Sequence, residues 1–226
     1  MAVREIRLFG DPILLTAAEP VTDFDKQLRG LVKDLMSTLL DSGGSGLAAP
    51  QIGVGLRVFA YDVDGQRGHL VNPVLQFPDA EEQDGEEGCM SFPGLYFDVK
   101  RRRNTVARGF TDRGDPVQVV GTATLARCLQ HETDHLDGIL FIDRMDNATR
   151  RAAMKAIREA PWSGLSPMVR VSPHPVRGPL RLSRWLPGAP SGAPDYCGHL
   201  PPRIGPRWLV PGFARIAGRP VGRRQA

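Results

Sequence analysis

The chain of 226 residues has little cysteine and no long apolar segment. Its three cysteines are an odd number and too few for the disulfide framework of a small secreted domain. No stretch approaches the roughly 18 apolar residues that a membrane helix needs. Charged residues interrupt the first fifteen positions, where a secretory signal would have its apolar core, so we expect a cytoplasmic protein. The 41% hydrophobic and 24% charged residues are typical of a globular domain and exclude a wholly disordered chain.

Charge and helix-breaking residues are unevenly distributed along the chain. Residues 161–226 contain ten Arg, one acidic residue and 13 of the 20 prolines, whereas residues 1–160 have a slight excess of acidic groups. Proline and glycine make up a third of the C-terminal segment, which leaves it little ability to form a core. We therefore predict a folded domain over residues 1–160 and an extended or disordered tail over residues 161–226.

Apolar spacing predicts the elements of the first domain. Leucines, valines and methionines at helical spacing predict a helix within Asp23–Leu40, ended by Gly43. Two apolar runs around Asp64-Gly65 predict a β-hairpin. Further strands are expected at Leu95–Val99, Asn104–Phe110 and Pro116–Val119, and further helices at Leu125–Leu136 and Ala148–Ala160. Because no βαβ repeat occurs, we expect an α+β fold, with small antiparallel or mixed strands around a central helix.

The clearest chemical signal is His131-Glu132-Thr133-Asp134-His135, an H-E-x-x-H motif. Residues four apart lie on one face of a helix, so both imidazoles can reach one metal ion. Glu132 is then placed to act as a general base towards a metal-bound water. The apolar periodicity on both sides supports a helix here, and the motif predicts a metal centre.

A catalytic metal needs a third protein ligand, and the sequence offers several. Asp143, Asp146 and Glu159 lie within range downstream. Upstream, Cys89 in the segment E-G-C-M-S would supply a thiolate, which is a strong soft donor. The glycine before Cys89 permits a close backbone approach, for which a cysteine buried in a core has no need. These residues alone leave the third ligand open, and Cys89 is also compatible with a place in the core.

A segment of small residues, Gly44–Gln51, precedes both motifs. Gly44 and Gly46 let the backbone come close to a ligand, and Gln51 offers an amide N–H donor after a proline-stiffened turn. Taken alone, the segment is more typical of a loop that follows a helix.

In chain order, G-x-G-L-A-A-P-Q, E-G-C-M-S and Q-H-E-x-D-H are spaced about 40 residues apart. They resemble the three signature motifs of the bacterial peptide deformylases, and the resemblance extends over about residues 1–160. One position departs from the family's usual pattern, since Met90 stands where leucine is usual. Because the family uses the backbone N–H of this residue, we expect the substitution to cost little.

The resemblance implies a metal-dependent hydrolase that removes the formyl group from the N-formyl-methionyl end of nascent peptides and releases formate. It implies that Cys89, His131 and His135 bind the metal. The implied metal is Fe²⁺, one per chain, with Ni²⁺, Co²⁺ or Zn²⁺ as substitutes.

The resemblance also assigns roles around the metal. Glu132 matches the general acid and base, and Gln51 and the Met90 N–H match the donors to the formyl oxygen. A pocket for the methionine side chain is expected beside the metal helix, where Cys128 would line it and Arg127 would reach the peptide backbone. Plain helix core for Cys128 and a solvated side chain for Arg127 are the alternatives.

Two other functions compete with this one. A zinc peptidase with a structural Cys89 would cut unformylated peptides. A binding module would present the arginine-rich tail to RNA, with a strong salt dependence. A deformylase acts on chains that leave the ribosome, so a ribosome contact through the tail is compatible with catalysis, although an unselected extension is the favoured explanation of the tail. We expect neither DNA nor a membrane as a partner.

Overall fold

The computed structural model describes residues 2–164, and residues 165–226 of the predicted tail lie outside the described residues. The helices are α1 (Lys26–Ser42), α2 (Ala123–Leu136) and α3 (Asn147–Glu159). The strands are β1 (Gly46–Ala48), β2 (Val58–Val63), β3 (Gln66–Gln76), β4 (Glu82–Gln83), β5 (Glu86–Gly88), β6 (Tyr96–Asp98), β7 (Arg101–Arg102), β8 (Asn104–Phe110) and β9 (Pro116–Thr122). The expected α+β fold is confirmed.

Five strands form an antiparallel sheet in the order β1-β2-β3-β8-β9. The short strands form two separate antiparallel pairs, β4 with β7 and β5 with β6. The predicted hairpin joins β2 to β3, and its turn residues Asp64 and Gly65 have φ values of 49° and 78°. Both values fall in the left-handed region that a two-residue Asp-Gly turn requires.

Strand β2 lies between the two long helices, which explains why its sequence is apolar on both faces. Phe59 and Tyr61 pack in one cluster with Leu129 of α2. Val58 and Ala60, which point the other way, pack in a second cluster with α1. Alternate residues of one strand therefore face different helices, and α2 occupies the centre of the domain as expected.

Helix α1 is capped at both ends, and it ends at Gly43 as predicted. The Asp25 carboxylate accepts hydrogen bonds from the backbone N–H groups of Gln27 and Leu28. At the other end Gly43 has a φ of 67°, the left-handed conformation that glycine adopts without strain.

Helix α2 is unusual because its polar residues are as buried as its apolar ones. Every residue from Gln130 to Leu136 is buried. Such burial requires partners for each polar group, and Gln130 finds them in the Arg102 carbonyl and the Thr105 hydroxyl. The buried polar segment contains the whole H-E-x-x-H motif, which points to a site inside the domain.

Beyond α3 the described chain ends in a turn that contacts the domain. Trp162 packs with the cluster of buried residues around Phe92 and Phe141. The boundary predicted near Pro161 stays a prediction. Within residues 2–164 no helix has the length and apolar character needed to cross a membrane.

Candidate active site

The two histidines of α2 and the cysteine after β5 come together inside the domain. The rings of His131 and His135 lie one helical turn apart, with centroids 4.9 Å from each other. Cys89 Sγ lies 3.2 Å from His135 Nε2. One ligand atom from each of the three residues lies within 4.8 Å of the others. A thiolate with two imidazoles is a donor set that suits a first-row transition metal or zinc, so these residues fit the expected metal.

The carboxylates that the sequence left open as third ligands are engaged elsewhere. Asp143 accepts the Leu140 N–H and a hydrogen bond from Arg150. Asp146 caps the N-terminus of α3. Glu159 is exposed and lies 4.0 Å from Lys155.

Glu87, from β5, holds the second ring nitrogen of His131. Its Oε1 lies 2.7 Å from His131 Nδ1, which leaves Nε2 of the ring directed to the metal position. Arg101 donates two further hydrogen bonds to the same carboxylate, at 3.0 and 2.6 Å. Burial would raise the pKa of Glu87, but hydrogen bonds from Arg101 and His131 outweigh it and hold that pKa well below its usual range. Glu87 therefore stays ionised and fixes the orientation of the imidazole.

The ion cluster continues from Arg101 to the surface. Arg101 Nη1 donates to Asp134 Oδ2 at 2.6 Å. Arg144 donates two hydrogen bonds to Asp134, at 3.0 and 2.6 Å. Burial would lower the pKa of Arg101, but the carboxylates of Glu87 and Asp134 outweigh it and raise that pKa. Arg101 thus remains a cation between two anions, which offsets the cost of burying each charge.

Residues 79–87 form an acidic stretch and residues 100–103 a basic run, and such runs usually predict a solvated surface. For one residue of each run this prediction is wrong. Glu87 belongs to the acidic stretch and Arg101 to the basic run, yet each is only 5% exposed. The reason is the alternation of side chains along short strands, which turns one residue of each run inward while its neighbours Glu86 and Lys100 stay exposed. Sequence analysis missed both residues, and the available signal was general: a histidine that binds a metal usually donates its second ring N–H to a carboxylate or a carbonyl.

The surroundings of the two histidines differ. Burial would lower the pKa of His131, but the negative charge of Cys89 and the hydrogen bond to Glu87 outweigh it and raise that pKa well above its usual value. Burial and the positive charge of His131 lower the pKa of His135 well below its usual value. The negative groups that attract a proton to His131 would equally attract a metal cation.

Glu132 is 3% exposed, and its Oε2 makes no hydrogen bond to the described residues. Burial raises the pKa of Glu132 to about 7, and the charge of Glu87 adds to the rise. Gly46 of β1 lies against this carboxylate, because a Cβ at that position would be 2.7 Å from the Glu132 carboxyl carbon. The glycine thus leaves room for a buried carboxyl group that can gain or lose a proton near neutral pH.

Gln51 enters the site from a short turn after β1, and its amide has a fixed orientation. The Ala48 N–H donates to Gln51 Oε1 at 2.8 Å. Gln51 Nε2 in turn donates to Ser91 Oγ at 3.3 Å and to Cys89 Sγ at 3.6 Å. The donor end of the amide therefore faces the cysteine, and Ser91 is a neighbour that sequence analysis missed.

A cavity of about 520 Å³ opens above these residues. Its buried lining includes Gln51, Cys128 and the metal helix, and its exposed lining includes Pro93 and Gly94. Every other residue that the sequence predicts for substrate binding or the formyl oxygen also lines it, namely Gly44, Gly46, Met90 and Arg127.

Two of these residues have partners within the protein. Cys128 Sγ donates to the Ser45 carbonyl at 3.3 Å, and burial raises the pKa of its thiol well above the usual value. Arg127 Nη1 donates to Glu87 Oε2 at 2.9 Å and to the Val99 carbonyl at 2.7 Å. Both side chains thus shape the wall of the cavity.

Comparison with known proteins agrees with the motifs. The family model "Polypeptide deformylase" matches residues 3–151. A peptide deformylase of Acidothermus cellulolyticus is 64% identical over 178 residues, 79% of this chain and 98% of the relative. One from Parafrankia sp. is 61% identical over 180 residues, with the same coverage of 79% and 98%.

Solved structures show the same fold. The crystal structure of peptide deformylase from Thermus thermophilus matches with a TM-score of 0.66 at 38% identity, covering 70% of this chain and 94% of that one. The crystal structure of the Thermotoga maritima enzyme matches with a TM-score of 0.62 at 38% identity, covering 65% and 99%. On this evidence the chain belongs to the peptide deformylase family, whose members remove the formyl group from nascent peptides.

Proposed function

We propose that the three grouped side chains of Cys89, His131 and His135 hold the catalytic metal, and that Glu132 moves the proton during deformylation. The observation that carries this proposal is the buried Glu132 carboxyl, whose Oε2 has no hydrogen-bond partner among the described residues and which lines the same cavity as Cys89 and His131. Burying a carboxyl oxygen without a hydrogen-bond partner costs free energy. A metal site with a purely structural role does not need such a group, whereas a catalytic site needs it to accept a proton.

We propose Fe²⁺ as the metal, with Ni²⁺, Co²⁺ or Zn²⁺ as substitutes. When bound, such an ion lowers the pKa of a water molecule and polarises the formyl oxygen. The Cys89 thiolate brings one negative charge to the centre, and Glu87 makes the His131 ring a better donor through its hydrogen bond at Nδ1.

Glu132 accepts the proton of the attacking water at its free oxygen. A new C–O bond forms at the formyl carbon, the C–N bond breaks, and Glu132 passes the proton to the leaving nitrogen. Formate and a free amino terminus result. Burial raises the pKa of Glu132 above that of an ordinary carboxyl group, which makes it a better proton acceptor towards water.

Gln51 stabilises the charge that develops on the formyl oxygen. Its amide is held by the Ala48 N–H, so the donor needs no reorganisation during the reaction. The Met90 N–H is proposed as a second donor. The Met90 side chain packs beside Gly44, where a Cβ would lie 2.9 Å from its sulfur.

The methionine side chain of the substrate is proposed to lie in the cavity beside Cys128, with Arg127 in the adjoining wall. Arg127 Nη1 is held by Glu87 and the Val99 carbonyl, which fixes the guanidinium in this wall, and from there Arg127 is proposed to reach the peptide backbone.

The cellular location of the enzyme and its contact with the ribosome are also proposals. We infer that it acts in the cytoplasm on nascent chains and that the arginines after residue 161 contact ribosomal RNA. The support for this contact is the composition of the segment, with ten Arg and one acidic residue.

The test is formate release from a formyl-Met peptide by protein purified anaerobically with iron. A chelator should abolish release, and Fe²⁺, Ni²⁺ or Co²⁺ should restore it. Glu132→Gln should keep the metal and lose nearly all turnover, because the amide retains the shape of the side chain and cannot accept the proton.

The variant Asp146→Asn is a useful control, because that carboxylate caps α3 outside the site. It should keep both metal and turnover. Equal loss of metal and turnover in Glu132→Gln would show that Glu132 has a structural or ligand role. Cleavage of internal peptide bonds without formate release would favour the zinc peptidase.

A further inference from the structure

Trp162 contacts the loop that carries the cysteine, although it lies eleven residues beyond the end of the family match at residue 151. The indole Nε1 donates a hydrogen bond to the Pro93 carbonyl at 2.9 Å. The indole ring meets Phe92 edge to face, with centroids 6.2 Å apart and an interplanar angle of 88°. These are two separate contacts between the end of the described chain and the segment Cys89–Leu95.

The cysteine end of this segment is held without Trp162. The Phe92 N–H donates to the Cys89 carbonyl at 2.8 Å, and the Phe9 N–H donates to the Ser91 carbonyl at 2.9 Å. The Phe92 ring also packs on Phe9 and Phe141, with centroids 5.0 and 5.1 Å away. The position of Cys89 therefore has several independent supports.

The other end of the segment turns at Pro93 and Gly94, and the Leu95 N–H closes this turn by donating to the Phe92 carbonyl at 3.1 Å. Pro93 and Gly94 are exposed and line the cavity. Proline has no N–H to donate, and Gly94 has a φ of 76° with open space where a Cβ would be. We call Pro93 and Gly94 the rim of the cavity. The indole of Trp162 is placed to fix this rim through its hydrogen bond to the Pro93 carbonyl.

The cavity has a buried part and an exposed part. Glu132, Gln51 and His131 lie in the buried part, whereas Pro93 and Gly94 lie in the exposed part, together with other lining residues such as Ser45 and Tyr96. A peptide with its formyl group at the buried end leaves through the exposed part, and we place the residues that follow its methionine along the side formed by Pro93 and Gly94. This step rests on the orientation given under the proposed function.

We propose that Trp162 is a positioning residue for the peptide chain beyond the formyl-methionine. It acts through Pro93 by holding the rim of the cavity in the conformation that receives those residues. It has no part in the chemical step or in metal binding, because the cysteine end of the loop is anchored separately.

The test compares Trp162→Phe with the wild-type full-length enzyme on formyl-Met-Ala and on a formyl-Met tetrapeptide. Phenylalanine keeps an aromatic ring against Phe92 and removes the N–H donor. KM for the tetrapeptide should rise roughly three- to tenfold, the range that corresponds to the loss of one ordinary hydrogen bond. KM for the dipeptide, kcat for both substrates and metal content should stay within about twofold of wild type.

Trp185→Phe makes the same change of side chain outside the described residues and serves as the matched control, and Trp162→Ala should show a larger rise in the tetrapeptide KM. An unchanged tetrapeptide KM in both Trp162 variants would overturn the proposal. A joint fall of kcat and metal content on both substrates would overturn it as well, since Trp162 would then support the metal centre. Failure of the proposed function would appear earlier, as absence of formate release by the wild-type enzyme.

Discussion

The Gln51 amide accepts a hydrogen bond at its oxygen and donates hydrogen bonds at its nitrogen. Its oxygen is occupied by the Ala48 N–H, so only its nitrogen faces the substrate. We expect Gln51→Ala to lower kcat by about 10²-fold, the scale for the loss of one oxyanion donor. Metal content should not change. The measurement is steady-state formate release with metal analysis of the same sample.

Ser91→Ala is the matched variant for this prediction. It removes the hydroxyl that contacts Gln51 Nε2 and leaves the amide donor itself in place, so a much smaller loss of kcat is expected. If Gln51→Ala changes KM alone, Gln51 contributes to substrate binding and not to stabilisation of the transition state.

Single residues also show where sequence patterns are informative and where they are not. The spacing of His131 and His135 predicts that both face one point, because helix geometry fixes residues four apart. Nothing comparable predicts that Glu87 and Arg101 meet. Their contact depends on how two short strands are placed next to α2, which is a tertiary property, and a charged residue on a strand is usually solvated.

At the scale of elements, β1 and α2 must approach closely for the site to form. Gly46 of β1 leaves the space that Glu132 of α2 occupies. In Gly46→Ala the new methyl group would force the Glu132 carboxyl to move, and displacement of a catalytic group by about 1 Å can cost on the order of 10² in rate. We expect kcat to fall at least about tenfold, measured by formate release.

Gly30→Ala is the control for the same substitution. Gly30 is an exposed residue within α1, and a Cβ there has no neighbour within 4 Å. Alanine is the better helix former by roughly 0.5–1 kcal/mol, so Tm should rise slightly and kcat should not change. Similar rates for wild type and Gly46→Ala would show that Glu132 tolerates displacement.

Long elements were predictable, whereas of the short strands only β6 was predicted, within Leu95–Val99. Seven apolar positions at helical spacing predict α1, and two apolar runs around an Asp-Gly turn predict the hairpin of β2 and β3. Strands β4, β5 and β7 have only two or three residues each, too few to show a periodicity. These short strands carry Glu87 and Arg101, so the same shortness explains why the ion cluster was missed.

For the whole molecule, the question is how much of the chain catalysis needs. The described domain includes the metal residues, the cavity and the contact of Trp162 with Pro93. Truncation after Gly178 keeps all of these and removes eight of the ten arginines that follow residue 161. We expect formate release and Tm to remain almost unchanged. A large fall in Tm would mean that the removed segment is folded against the domain.

The same truncation tests the ribosome contact, because it separates binding from catalysis. If the arginines bind ribosomal RNA, the full-length protein should co-sediment with ribosomes and lose affinity steeply as salt rises, since each phosphate contact releases counterions. The protein truncated after Gly178 should co-sediment less and show a shallower salt dependence. A variant with the eight removed arginines replaced by glutamine keeps the chain length and tests charge alone. Equal co-sedimentation of all three proteins would exclude the arginines as the contact, whereas loss in both altered proteins would assign the contact to charge.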